Sequence, residues 1–467
     1  MTSAGHRGED ALVAFVSELR FDDVPPAAVE AVLGLVLDQI TCALVGTEMD
    51  WTRRLRSVVA PPTAAVPAVA GDAATIIGDD ALVAPEVAAL VNGTAGHGFD
   101  LDDLHFGTMS HPGCVVIPAA LAMAEATGAD GRALLTAVVA GYEPMLRTGL
   151  AAGLRYGELG FHATGVLGPL GAATAAARLL GAPVVDALGL AASLGAGIKA
   201  FNEVGPGMVK RLHAGRAAEA GILAARLAAA GYEGPRRALT ARFGLTRVLA
   251  LGEAPDVGAL DRELGEPFVV EDIYIKPYAA CGALHGAVHA AQQIAQARPG
   301  LRDADVREVV VGASPRALAQ NSDIEPVDVM AAQYSTEVAV AIALLGGATD
   351  PRRFMAAGDD AADPARVLAR RTRLEVDEQA AATYPDPMEG VVTVRLRDGT
   401  TLARRGSSSP ASSRGWDVAA AKFDAVTAGR VSPDVRGRVR AAVRALADGG
   451  PVADCLRPLA GQTAGRP

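Results

Sequence analysis

Segments rich in alanine, leucine and valine follow one another almost without interruption through the first half of the chain. After Pro25-Pro26, which suit a helix start, apolar residues recur at helical spacing from Val29 to Ile40. The same pattern predicts helices over 83–96, 115–127, 131–147, 163–180, 184–198 and 214–230. Aromatic residues make up only 4% of the chain, and small apolar side chains of this kind suit closely packed helices. This half of the chain therefore predicts a helical domain.

The pattern changes near residue 267. Strands are predicted over 268–275, 306–313, 391–396 and 400–403, with helices over 283–297 and 328–345. Asp398-Gly399 predicts the turn of a hairpin between the last two strands. A serine-rich linker at 407–413 then leads into helices over 418–426 and 435–446.

These patterns predict a mainly α protein with an α+β insertion. An all-helical domain is built from both chain ends, 1–266 and 405–467, and a smaller α+β lid domain occupies 267–404. We expect a small-molecule site in a cleft between two such domains.

Charge and length limit the classes of partner. The chain has 467 residues and a formal net charge of −10, from 43 basic and 53 acidic residues. No block of lysine and arginine stands out, so neither a nucleic acid nor a membrane is an expected partner. An anionic substrate has to be attracted by local lysine, arginine and histidine side chains.

The cysteines and the N-terminus indicate a cytoplasmic protein. The four cysteines, Cys42, Cys114, Cys281 and Cys455, are far apart, which argues against a disulfide scaffold or a zinc-finger-type site. Glu9 and Asp10 stand where a signal peptide needs apolar residues. The apolar stretches are too short or too interrupted to suggest a span.

Histidine is scarce, with eight in the chain, and the densest polar patch lies between residues 92 and 113. His97, Asp100 and Asp103 are three apart and would share a face if the segment were helical. Gly107, Pro112 and Gly113 predict a turn that presents His111. The patch fits three hypotheses: a solvated helix end, a divalent metal site, or an acid/base cluster of aspartate and histidine.

Three further patches are candidates. His162 precedes an apolar helix. It is either a structural histidine or part of an anion-binding site at the start of that helix. Lys210 and His213 lie at the start of another predicted helix. They are either an ordinary basic first turn of that helix or part of a site for an anion. Lys276, Cys281 and His285 follow a predicted strand, and Cys281 without a basic partner is more typical of a packing residue than of a nucleophile. No glycine-rich nucleotide motif or GxSxG is present, and we predict no cofactor.

Taken together and in order, these patches resemble the MmgE/PrpD family, whose members include 2-methylcitrate dehydratase and cis-aconitate decarboxylase. The resemblance covers nearly the whole chain and rests on segments 19–26, 92–103, 111–113, 160–162, 210–216, 275–278, 332–335 and 422–423. It implies a helical domain with an α+β lid, a homodimer, and a metal-independent active site between the domains.

The resemblance also implies the site residues. Five residues fall on family active-site positions: Asp100, His111, His162, Lys210 and Lys276. Less strongly supported candidates for substrate binding are His97, His213, Cys281, His285 and Tyr334. We predict His111, oriented by Asp100, as the acid/base residue, His162 as a second one or a hydrogen-bond donor, and the two lysines as carboxylate ligands.

These assignments predict a lyase that removes a proton next to a carboxylate of a small di- or tricarboxylic acid, with dehydration as the leading reaction. Epimerisation, isomerisation or decarboxylation of a related acid is the alternative, and a non-catalytic binding protein is the rival from another class. Leu104 and Val338 stand where the family motif favours hydroxyl-bearing residues. This departure argues against 2-methylcitrate as a good substrate, although Tyr334, one helical turn before Val338, could supply a hydroxyl.

Overall fold

The computed structural model describes residues 3–61, 72–202 and 207–461. Its internal contacts divide the chain into two compact units. Unit 1 comprises 1–98, 102–275 and 414–467, so that both ends of the chain contribute to it, and unit 2 comprises 99–101 and 276–413. The predicted fold class, mainly α with a small α+β part, is confirmed.

Unit 1 is built from helices. Its α-helices are α1 (Ser3–Glu18), α2 (Pro26–Gly46), α3 (Asp50–Val59), α4 (Pro85–Gly96), α5 (Gly113–Thr127), α6 (Gly131–Ala152), α7 (Arg155–Glu158), α8 (Ala163–Leu180), α9 (Val184–Ala191), α10 (Met208–Ala229), α11 (Leu245–Leu249), α19 (Gly415–Thr427) and α20 (Pro433–Ala445). Two short antiparallel strands, β1 (Ala74–Thr75) and β2 (Leu82–Val83), complete it.

The core of unit 1 is the packing of α8 against α5, α6 and α10, with α2 alongside. Helix α2 has the length and apolar composition of a membrane span, but 89% of its most apolar stretch is buried inside the protein, as in a core helix. Small residues allow the close approach of these helices. A side chain on Gly215 of α10 would collide with the carbonyl oxygen of Leu90 on α4, so glycine is required there.

Unit 2 is an α+β structure. Its helices are α12 (His285–Ala297), α13 (Pro315–Gln320), α14 (Val329–Gln333), α15 (Thr336–Leu344), α16 (Pro351–Asp359), α17 (Pro364–Ala369) and α18 (Glu378–Thr383). Its strands are β3 (Val306–Ala313), β4 (Thr372–Val376), β5 (Met388–Leu396) and β6 (Thr401–Ser408).

The four strands of unit 2 form one sheet in the order β4-β3-β5-β6, in which only the β3–β4 pair is parallel. The predicted hairpin at Asp398-Gly399 is confirmed, with Gly399 at a φ of 90°. Helix α12 packs on β5 and β6. A side chain on Gly406 of β6 would collide with the carbonyl oxygen of Gly286 on α12, so the helix and sheet backbones touch.

Several predicted elements are wrong. The segment 268–275 is not a strand: Val269–Asp272 forms a 3-10 turn, because the Glu271 carboxylate accepts the backbone N–H of Phe268 at 3.2 Å and closes the chain on itself. The predicted helix 184–198 ends at Ala191. The predicted linker 407–413 begins inside β6, which continues to Ser408.

The predicted helix 328–345 is interrupted between α14 and α15. Ser335 has extended backbone angles and its hydroxyl accepts the N–H of Val338 at 3.1 Å, so it begins a new helix. Tyr334 therefore ends one helix while Val338 lies in the next, and the expectation that they share a helix face is wrong.

Candidate active site

Four histidine side chains of unit 1 meet in one cluster, which we call the imidazole cluster: His97, His111, His162 and His213. Ring centroids are 4.7 Å apart for His97 and His111, 5.7 Å for His97 and His162, and 5.1 Å for His162 and His213. Phe201 packs edge-on against His162, at 5.4 Å between centroids. Three of the four histidines are buried, and His213 is partly exposed.

Each histidine is placed by a helix end. His97 is the residue at which α4 stops, and His111 immediately precedes Pro112, where α5 begins. His162 is the N-cap of α8, and His213 lies in the second turn of α10. Three helix N-termini, those of α5, α8 and α10, therefore supply or adjoin members of the cluster, and a helix N-terminus favours an anion.

Asp102 joins two members of the cluster through one oxygen. Its Oδ2 lies 2.8 Å from His97 Nδ1 and 3.2 Å from His111 Nδ1. Burial by itself would raise the pKa of the Asp102 carboxyl, but the two imidazoles outweigh burial and hold that pKa well below its usual value. Asp102 is therefore an ionised carboxylate at neutral pH.

Three of the histidines, His97, His162 and His213, have their pKa values lowered by their surroundings. Burial lowers the pKa of His97 to about 3; Asp102 opposes this shift, and the charge of Lys210 adds to it. Burial also lowers the pKa of His162 well below its usual value, and that of His213 to a smaller extent, with Lys210 contributing to both. Neutral imidazoles can accept or donate protons. The positive charge of the buried lysine beside them would be balanced by a bound anion.

His162 and His213 contact each other directly, with 3.0 Å between their Nδ1 atoms. A contact of this kind needs one N–H and one lone pair, so one ring donates and the other accepts. The cluster therefore contains two kinds of imidazole: a pair bound to a carboxylate and a pair that shares a proton.

A second aspartate supports the helix that follows His111. The Asp103 carboxyl accepts the backbone N–H of Gly113, at 2.9 and 3.1 Å to its two oxygens, and the hydroxyl of Tyr142 lies 3.1 Å away. Burial raises the pKa of Asp103 well above its usual value, and the neighbouring Asp102 raises it further. The pKa values of two adjacent aspartates are thus shifted in opposite directions, that of Asp102 downward and that of Asp103 upward.

His97, Asp102 and Cys114 place potential metal ligands within 4.8 Å of one another. The chemistry of this set does not suit a metal. Burial raises the pKa of the Cys114 thiol well above its usual value, and the thiol points to the carbonyl oxygen of His111 at 3.2 Å. Metal binding requires a thiolate, and Asp102 Oδ2 is already bonded to the imidazole of His97 and close to that of His111.

The remaining predicted residues lie in unit 2. Lys276 and Asp100, both buried, form an ion pair of 2.8 Å, and the Lys276 ammonium also donates to the backbone oxygen of Asp100 at 3.0 Å. His285 is buried and its Nε2 lies 3.1 Å from the carbonyl oxygen of Ala280, as in a structural histidine. Cys281 is partly exposed.

The structure corrects the sequence-based account of the 92–113 patch. Helix α4 ends at Gly96, and Asp100 has a φ of 54°, so His97, Asp100 and Asp103 do not share a helix face. Asp102, a residue not singled out from the sequence, bonds to His97 and approaches His111, and the Asp100 carboxylate pairs with Lys276 in unit 2. The aspartate-rich pattern signalled a site but could not tell that Asp102 is the acid bonded to His97.

Four predicted site residues of unit 1 are brought together in the cluster: His97, His111, His162 and His213. Lys210 is buried and its charge acts on three of these histidines. Phe201 was missed, because an isolated phenylalanine in an apolar chain carries no signal of its own. The turn predicted to present His111 is found, with a backbone bridge between His105 and Ser110.

Two family models match most of the chain. A model of the MmgE/PrpD N-terminal domain matches residues 10–257, and a model of the MmgE/PrpD C-terminal domain matches residues 278–448. The chain belongs to the MmgE/PrpD family. The match of the N-terminal model covers all four members of the imidazole cluster in this MmgE/PrpD protein.

Curated relatives of this MmgE/PrpD protein are named cis-aconitate decarboxylase. One from Aspergillus terreus is 28% identical over 419 residues, which are 83% of this chain and 82% of the relative. Another, from Aspergillus terreus (strain NIH 2624 / FGSC A1156), is 29% identical over 361 residues, 71% and 70% of the two chains. The Homo sapiens protein is 29% identical over 343 residues, 70% and 68%. Family and relatives together indicate an enzyme of the lyase type.

Proposed function

We propose that this protein is a carboxy-lyase that removes CO2 from a small unsaturated tricarboxylic acid, with cis-aconitate as the first candidate. The observation that carries the proposal is the buried imidazole cluster, which combines proton acceptors, a shared proton and the buried charge of Lys210. The names of the curated relatives support the choice of substrate.

The reaction sets definite demands on a site. The bond between a carboxyl carbon and its neighbour breaks, CO2 leaves, and the electron pair remains on the chain, delocalised through the double bond towards a second carboxylate. A proton then adds to carbon and gives an unsaturated dicarboxylic acid. The site must therefore stabilise negative charge on a retained carboxylate and deliver one proton.

The residues of unit 1 suit both demands. Lys210, buried beside the cluster, would stabilise the carboxylate on which charge develops. The helix N-termini at His162 and Lys210 favour the same anion. His111 and His162 are the proposed acid/base residues, with His97 and His213 as their partners.

Residues of unit 2 enter the proposal through the family resemblance. Lys276 and Asp100 keep their predicted roles, and replacing Lys276 by alanine should weaken substrate binding by about 2–5 kcal/mol if the partner carboxylate is desolvated. Cys281 and Tyr334 remain less strongly supported candidates for substrate binding. For His285 we favour a structural role, because its ring is buried and bonded to a backbone carbonyl. A homodimer and a cytoplasmic location remain part of the same prediction.

Dehydration, the leading reaction in the sequence analysis, becomes the second candidate. Leu104 and Val338 are buried, with relative exposures of 3% and 0%, and neither can bond to a substrate hydroxyl. A buried polar group left without a partner costs about 1–3 kcal/mol. A substrate without a hydroxyl, such as cis-aconitate, avoids this cost, whereas 2-methylcitrate and citrate do not.

The deciding experiment is ¹H NMR of the protein with cis-aconitate, citrate and 2-methylcitrate in D2O. We expect cis-aconitate to be converted to a dicarboxylic acid that carries one deuterium, with release of CO2. For 2-methylcitrate we expect kcat/KM below about 10⁴ M⁻¹s⁻¹, the lower end for efficient enzymes. Turnover of 2-methylcitrate above that value, with no CO2 released from cis-aconitate, would establish the hydro-lyase instead. Exchange of deuterium without net turnover would indicate an epimerase.

His111→Ala tests the assignment of the acid/base residue. We expect kcat to fall by roughly 10²–10⁴, as for removal of a general acid or base. His289→Gln is the matched control, because His289 lies in unit 2, is partly exposed and bonds to the backbone oxygen of Ser407. Equal kcat for both variants, with unchanged circular dichroism, would rule out the assignment.

A further inference from the structure

We infer that Asp102 is a positioning residue that fixes the tautomers of His97 and His111 together, so that both rings present Nε2 as a proton acceptor. Neither the family comparison nor the sequence analysis assigns a role to this residue. The catalytic consequence rests on the proposed function, whereas the tautomer assignment rests on geometry alone.

The geometry leaves little choice of tautomer. Asp102 Oδ2 is 2.8 Å from His97 Nδ1 and 3.2 Å from His111 Nδ1, and the two rings are inclined at 61° to each other. An ionised carboxylate can only accept hydrogen bonds, so His97 Nδ1, which is bonded to it, must carry a proton. His111 Nδ1 lies at ion-pair distance from the same oxygen without hydrogen-bond geometry, and a proton on this atom is favoured because a lone pair there would be repelled by the carboxylate. In a neutral ring, a proton on Nδ1 leaves Nε2 with a lone pair.

The charge of Asp102 is secured by this same arrangement. Asp102 is 1% exposed, and a charge-assisted hydrogen bond from His97 stabilises its Oδ2 inside the protein, whereas its Oδ1 has no hydrogen-bond partner among the described residues. Its neighbour Asp103, which contacts a backbone N–H and a tyrosine hydroxyl but no imidazole, has its pKa shifted in the opposite direction. The imidazole contacts are the difference between the two sites.

His97 Nε2 shows where a ligand could use the arrangement. This atom is buried and finds no hydrogen-bond partner among the residues that the structure describes. A buried acceptor of this kind can take a hydrogen bond from a bound molecule. The donor that fits is a protonated carboxyl group of the substrate or a water molecule. Asp102 would thus make His97 a substrate-binding acceptor and His111 a base.

The tautomers can be measured without any assay of activity. We would label histidine with ¹⁵N and record long-range ¹H–¹⁵N correlations at pH 7, assigning His97 from the His97→Gln variant and His111 from His111→Gln. We expect both rings to have a protonated Nδ1 and a bare Nε2. A protonated Nε2 on either ring in the unmodified protein would overturn the inference, and this measurement needs no Asp102 variant to fold.

Asp102→Asn provides the second test, with Asp103→Asn as its matched control. Asparagine keeps the shape of the side chain but brings an amide donor, which can turn a neighbouring Nδ1 into an acceptor. We expect at least one of the two rings to change tautomer in Asp102→Asn and neither to change in Asp103→Asn, because the Asp103 carboxyl bonds to the Gly113 N–H and to Tyr142 and not to an imidazole. Unchanged spectra in folded Asp102→Asn would contradict the inference.

Kinetics with cis-aconitate separate this inference from the proposed function. We expect Asp102→Asn to lower kcat by about 10²–10⁴ with KM changed less than about threefold, as when an orienting carboxylate next to a catalytic histidine becomes an amide. Asp103→Asn should stay within a few-fold of the unmodified protein. If cis-aconitate is not turned over at all but the tautomers are as stated, the proposed function fails and Asp102 remains a positioning residue. Full activity of Asp102→Asn would remove the positioning role.

Discussion

His162 and His213 face each other with 3.0 Å between their Nδ1 atoms, so the two rings share one proton at that contact. Two N–H groups would repel each other there, and two lone pairs would form no bond. When both rings are neutral, the accepting ring carries its proton on Nε2. The pair therefore offers one imidazole N–H on the side away from the contact, and this is the group we propose as the proton donor to carbon.

The first prediction concerns this pair. Replacing either His162 or His213 by glutamine removes the shared proton, and we expect kcat for decarboxylation to fall by about 10²–10⁴ for the ring that carries the donating N–H. The double variant should be no worse than the more damaged single variant, because the two rings act as a unit. Steady-state kinetics of the three variants check this. Additive losses would mean that the rings work independently.

The second prediction concerns a buried ion pair between helices α2 and α19. Lys422 on α19 and Asp38 on α2 are 2.5 Å apart and both are buried. Removing one partner leaves a buried charge uncompensated, so Lys422→Met should lower the free energy of unfolding by about 3–5 kcal/mol. The double variant Asp38→Asn with Lys422→Met should recover a large part of that loss.

Urea unfolding at pH 7 measures this effect. The control is Arg302→Met, which breaks the exposed ion pair with Asp305 and should change stability little. A double variant as unstable as Lys422→Met alone would show that packing of the lysine side chain, and not the unpaired carboxylate, causes the loss.

The third prediction concerns pH. Burial lowers the pKa of His105 to about 4, against about 6.5 in an unfolded chain. The unfolded state therefore binds more protons between these values, and the stability that neutral His105 contributes is present above pH 6.5 and lost as pH falls. The slope for one such group is about 1.4 kcal/mol per pH unit.

We expect His105→Gln to unfold less steeply with acid than the unmodified protein between pH 6.5 and 4.5. Chemical unfolding at several pH values gives the two slopes directly. His289→Gln, which changes a partly exposed ring, should leave the slope as it is. Parallel curves for His105→Gln and the unmodified protein would place the acid sensitivity elsewhere.

The fourth prediction concerns metal ions. His97, Asp102 and Cys114 are close enough to be ligands, but the thiol is held protonated and the carboxylate is shared between imidazoles. We expect protein treated with EDTA, and shown by elemental analysis to hold no metal, to keep its full activity. Loss of activity that zinc, manganese or magnesium restores would reinstate the metal hypothesis for the 92–113 patch.

The predicted secondary structure agrees with the observed one where a long run of apolar residues has a single clear period. Helix α8 and strand β3 have the bounds predicted from periodicity alone, 163–180 and 306–313. Predictions failed where a side chain bonded to the backbone. The Ser335 hydroxyl divided one predicted helix in two, and the Glu271 carboxylate turned a predicted strand into a 3-10 turn. Such bonds depend on one rotamer and leave no periodic trace.

The sequence by itself determined the family, the fold class and the segments that carry histidine, lysine and aspartate, because these follow from patterns local to the chain. Only the tertiary structure decided which of these side chains meet. Asp102 meets His97 Nδ1 across a turn because α4 ends at Gly96, so that the following residues leave the helical register. The 162–213 contact joins residues on two helices that pack through small side chains. Burial then lowered the pKa values of His97, His162 and His213, and burial is a property of the folded chain that no single residue carries.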